Sequence, residues 1–133
     1  MFSETLFKFS LRRDPDWIDV LVRELHLRIA SKLRENPDLL EIPLHNLRVW
    51  KRTADHETKL LLRRWKLILI SWQFEDILDF IVADTSESRS MRRYSPFCGI
   101  LNPQEIASIW QDAAAKEGVP NETTSGKSQV VVC

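Results

Sequence analysis

A chain of 133 residues suits a single domain that can bury a core without disulfide or metal staples. Lysine plus arginine and aspartate plus glutamate number 19 each, so the formal net charge is +0, which argues against the strongly basic composition of a general nucleic-acid binder. Hydrophobic residues at 44% and only three glycines favour helix over strand or disorder.

The opening, Phe2 to Leu11, carries both alternating and helical spacings of its apolar residues, and Ser3 can cap a short helix there. Glu4 and Lys8 interrupt it, and no run approaches the roughly 18 apolar residues of a membrane span. The next signal is stronger. Asp14 and Pro15 suit the cap and first position of a helix, whose residues Trp17, Ile18, Leu21, Val22, Leu25, Ile29 and Leu33 share one arc. Asp19, Arg23, His26 and Arg34 fall outside that arc and are expected at the surface.

Asn36-Pro37 repeats the cap-then-proline pattern, predicting one helical turn before Pro43 and a short helix over Leu44 to Lys51 with Leu47 and Trp50 inward. Thr53 or Asp55 should cap the following helix, Thr58 to Leu69. The stretch from Asn46 to Ile81 holds three of the five tryptophans and the densest apolar run, so its central helix is expected to be the nearly buried heart of the molecule. Only a stripe of Lys59, Arg63 and Lys66 should reach water. Ser71 either interrupts or continues the helix, and Phe74, Ile77, Leu78 and Ile81 form an apolar face beyond it.

Thr85 to Ser90 reads as a loop with a helical restart at Ser86. Ser95-Pro96 breaks the chain, and Phe97, Ile100 and Leu101 follow. Asn102, Pro103 and Glu105 approach a capping box for a last helix with Ile106, Ile109, Trp110 and Ala113 on one side, stopped by Gly118. The expectation is an all-α protein: one compact domain over residues 3–116, five to seven helices of unequal length with irregular orthogonal or bundle packing, and a disordered tail over 117–133.

Charge is unevenly placed. Asn46 to Trp72 carries seven basic and two acidic residues, a net +5, whereas Gln73 to Asp84 carries four acids and no base. Those neighbours can pair, or the cations can serve a partner. The candidate binding surface is Arg48, Lys51, Arg52, Lys59, Arg63 and Lys66, with Arg89, Arg92, Arg93 and Phe97 from the later loop. For Phe97, Ile100 and Leu101, plugging the core is the stronger reading, because apolar loop residues generally stay covered.

Catalytic and metal signatures are thin. Cys98 follows Arg92 and Arg93, which could favour its thiolate, but His26, His45 and His56 have no spacing that brings a base to it. Glu41 and His45 are four apart, too few for a zinc site, and Gly99, Gly118 and Gly126 are isolated, unlike phosphate loops. No cofactor or metal is expected. Two cysteines outside any C-x-x-C pair point to a reducing, cytoplasmic setting. The segment SPFCGILNPQE with the arginine-rich stretch before it resembles segments of small helical proteins of bacteria, a resemblance that assigns no residue roles.

The functional expectation is a non-catalytic protein-interaction or regulatory module, with an unknown protein partner or self-association and no membrane. Nucleic-acid binding through the basic stripe is the first alternative, and an enzyme using Cys98 or His56 the second.

Overall fold

A computed structural model describes residues 15–117; the N-terminal segment, with the helix caps expected at Ser3 and Asp14, and the tail expected beyond Glu117 lie outside the described residues. Among the described residues six helices of unequal length follow one another: α1 Pro15–Glu35, α2 Glu41–Trp50, α3 His56–Ser71, α4 Phe74–Val82, α5 Ser86–Arg92 and α6 Pro103–Glu117, with a 3-10 turn at Pro37–Leu40 between the first two. The described residues contain no strand, as an all-α chain requires.

The boundaries follow from local chemistry. Asn36 Oδ1 accepts from the Asp38 N–H ahead of Pro37, opening the 3-10 turn. Asp55, rather than Thr53, caps α3, its Oδ1 accepting from the Thr58 N–H at 2.8 Å, and that bond holds the carboxyl below its usual pKa. Ser71 ends α3, its hydroxyl bonded back to the Leu67 carbonyl, and extended backbone at Trp72 and Gln73 turns the chain into α4. Thr85 caps α5, so most of the expected Thr85–Ser90 loop is helix. Asn102 and Glu105 form a reciprocal capping box, each side chain accepting from the other's N–H at 2.8 Å. Pro43 lies in the first turn of α2 instead of before it, where its missing N–H breaks no helical bond.

The hub of the core is α1, not the helix around Trp65. It packs against α4, α5, α6 and the 3-10 turn, whereas α3 leans chiefly on α2. The predicted arc of α1 is buried throughout, and it extends further round to His26 and Ala30. Trp65 is fully buried, stacking edge-on against Phe80 and Phe97, and its Nε1 donates to the Met91 carbonyl. Leu62, Ile68 and Leu69 join it, but Leu61 is only half-buried, and Leu60, Leu67 and Ile70 stand in solvent. The expectation of a helix sandwiched on several sides is corrected: α3 covers the core with one face and presents the other outward. No helix among the described residues is long and apolar enough to cross a membrane.

The loop from Ser95 to Leu101 is wired into the core by hydrogen bonds from two helices, α1 and α2. His26 Nδ1 lies 2.8 Å from the Val22 carbonyl, which can only accept, so Nδ1 carries the proton and Nε2 accepts from the Ser95 hydroxyl at 2.7 Å. Ser95 Oγ accepts in turn from the Phe97 N–H. Asn46 Nδ2 of α2 donates to the carbonyls of Pro96 and Cys98, and Lys32 Nζ donates to the Ile100 carbonyl and pairs with Glu105 at 3.0 Å. Gly99 supplies the positive φ of 98° that the turn needs, a conformation strained for any residue with a Cβ.

Candidate functional site

Phe97 and Arg92, both counted in the candidate binding surface, are buried. Phe97 is 2% exposed, between Trp65 and His26. The hydrophobic plug reading of the loop is the correct one. Arg92 is 1% exposed because its guanidinium turns inward to the open end of α4, where Nη1 donates to the carbonyls of Ile81 and Ala83. Arg23 of α1 donates to Val82 beside them at 2.7 Å. Two guanidinium groups therefore cap the negative end of one helix dipole. Burial lowers the Arg92 pKa, with repulsion from Arg23 adding to it.

Arg89 and Arg93 are also committed within the fold, to Asp84 at 2.9 Å and Asp19 at 3.0 Å. Arg23, Arg89 and Arg92 line a groove of about 320 Å³ together with Asp19, Glu24 and Asp84, so its charges balance. The later arginine cluster does not join the earlier one.

The other six cations do come together. Arg48 at the end of α2, Lys51 and Arg52 in the turn after it, and Lys59, Arg63 and Lys66 along α3 line one groove of about 540 Å³. The spacing explains the assembly: residues 59, 63 and 66 share a helical face, and the short turn brings the end of α2 beside the start of α3. The groove floor is Leu44, Leu47 and Leu62. No acid lines it. All six cations are exposed, and none of their side chains makes an ion pair or hydrogen bond with another described residue. The acids expected to neutralise them are elsewhere: Glu75 faces Arg34 at 3.7 Å and Asp84 holds Arg89. Arg64, on another side of α3, bonds Glu87 at 2.6 Å. A concave wall lined by one sign of charge focuses its field and draws anions.

His26 and Ser95 sit at the distance of a base and a nucleophile, 69 positions apart in sequence. They are 1% and 3% exposed, and Nδ1 is tied to a backbone carbonyl, so the pair locks the loop instead of meeting substrate. Burial, with nearby Arg92 adding to it, lowers the His26 pKa to about 4, keeping the ring neutral. Cys98 is half-buried, and the two cations expected to favour its thiolate are directed to the end of α4 and to Asp19. His45 and His56 are exposed, and the described residues contain no group of three or more His, Cys, Asp or Glu that could hold a metal ion. Comparison with family models, curated proteins and solved structures finds no match to this chain.

Sequence reasoning grouped these six cations on one candidate surface because they lie at the end of α2, in the turn after it and along one face of α3, but it put the later arginines and Phe97 with them and foresaw no groove. It missed the roles of His26, Ser95, Arg23 and Asn46, whose partners are 50 or more positions away except for the His26 bond to Val22 and the Ser95 bond to Phe97.

Proposed function

We propose that this protein is a binding module that takes an acidic segment of a partner protein in the groove between α2 and α3. The observation that carries this reading is the set of six cations without a counter-charge in the described fold, arranged around a leucine floor. Exposed like charges gathered in one concavity repel one another, and an anionic partner relieves that repulsion. Leu44, the one floor leucine not already buried in the core, argues for protein over nucleic acid, since a phosphate backbone would satisfy the cations and leave that apolar contact unused.

The test is titration of the full chain with a fluorescent glutamate-rich peptide and, separately, with a DNA duplex of similar charge. Peptide binding that weakens with salt and falls about tenfold or more in Arg63→Glu is expected. Tighter binding of the duplex, with a steep salt slope abolished by Arg63→Glu, would move the assignment to nucleic acid. Peptide binding indifferent to both salt and the charge reversal would overturn the groove as the site.

A further inference from the structure

We infer that the partner presents an amphipathic acidic helix, which packs along the outer ridge of α3 as well as into the groove beside it. This rests on the preceding reading of the groove and adds a second, apolar half to the interface. Leu60, Leu67 and Ile70 are 45%, 55% and 59% exposed, an unusual state for three large aliphatic side chains on one helix. Their spacing, with Arg63 between them, runs i, i+3, i+7, i+10, a single stripe along the helix. Lys59 and Lys66 flank that stripe on the groove side. The outward surface of α3 is therefore an apolar seam bordered by cations, and its complement is an apolar seam bordered by acids at the same helical period.

Other occupants match only half of this surface. A second copy pairing α3 with α3 would set Lys59, Arg63 and Lys66 against like charges. The acids of α4 in a second copy carry the right sign, but Ile77, Leu78 and Ile81, the apolar face of that helix, are already buried in its own core. A nucleic-acid duplex offers phosphates and no apolar seam. An anionic membrane offers both, yet a flat surface cannot fill a groove of about 540 Å³ lying between two helices.

The experiment compares four probes against the full chain by fluorescence anisotropy or sedimentation: a helical peptide with leucines at heptad spacing and glutamates on both flanks, a scrambled peptide of identical composition, a DNA duplex, and vesicles containing phosphatidylserine. The inference expects the patterned peptide to bind about tenfold tighter than the scrambled one. Leu67→Gln, at an exposed position where circular dichroism should show an unchanged fold, removes most of that advantage and leaves the scrambled peptide's affinity as it was. Equal binding of the two peptides, both sensitive to Arg63→Glu, would overturn the helical seam while the acidic-partner reading stands. Preference for the duplex or for vesicles, or no binding of any probe, would overturn both.

Discussion

Two arginine-rich grooves of this molecule differ in what their charges do. In the groove beside α1 and α5, Arg23 and Arg92 hold the carbonyl end of α4 and Arg89 holds Asp84, so each arginine lining it is used by the fold. In the groove between α2 and α3, six cations point to solvent without a described partner. The difference teaches that the count of basic residues in a stretch carries little functional information. What matters is whether the folded chain supplies their acceptors. Charges left over after folding are the ones available to a second molecule, and removing them should cost the fold nothing.

The largest effect that separates the two regions is expected from Arg92→Ala. It empties a fully buried volume and strips two carbonyls at the end of α4 of their donor, which should cost roughly 3–5 kcal/mol in denaturant unfolding. Arg63→Ala, the same change in the other groove, should lie within about 0.5 kcal/mol of the parent. Comparable losses in the two variants would break the distinction between used and unused charge.

Next in size is a pH effect seated in the used region. The folded His26 pKa, near 4, is below the ordinary 6.5, so the unfolded chain binds the extra proton between those values. Stability from this residue is complete above about pH 6.5 and falls as pH drops toward 4, by roughly 3 kcal/mol in all. His26→Gln should flatten that part of the curve. If the variant retains the full slope, the titrating group lies elsewhere.

The same contrast explains what could be read from the sequence. Caps at Asn36, Asp55 and Asn102 were legible because donor and acceptor lie within three positions. The six cations were legible as a group for a similar reason, its members being contiguous in chain and period. Burial was not. An apolar count over residues 59–70 suggests a helix covered on several sides, but a side chain is buried only if another element reaches it, and no periodicity within α3 states that α1 is the hub. Arg92 looks like a surface residue by type, and His26 by type and by wheel position. Only the carbonyls at the end of α4 and the hydroxyl of Ser95 give them a reason to be inside.

A smaller effect should come from the exposed ion pairs at the rim of the used groove. Arg93→Ala separates Asp19 from its partner at a site where Arg93 is nearly half exposed, and screened pairs of that kind contribute about 0.2–1 kcal/mol. Urea unfolding at low and at high salt measures it, with the loss shrinking as salt rises. A loss of several kcal/mol that persists at high salt would place Arg93 among the structural arginines beside Arg92.

The smallest expected change is also the most diagnostic, because its sign reverses. Replacing Lys59, Arg63 and Lys66 with glutamine removes three like charges that gain no partner from the described fold and repel Arg48, Lys51 and Arg52 across the groove. The triple variant should be as stable as the parent or a few tenths of a kcal/mol more stable at low salt, the gain vanishing near physiological ionic strength as screening does the same work. A thermal melt of both proteins across a salt series reads this directly. Parent stability that rises with salt while the variant's does not is what self-repulsion predicts, and it is that repulsion which an acidic partner would relieve. A triple variant that is less stable at every salt concentration would mean these cations have acceptors within the chain after all, and the groove would then belong with the balanced one.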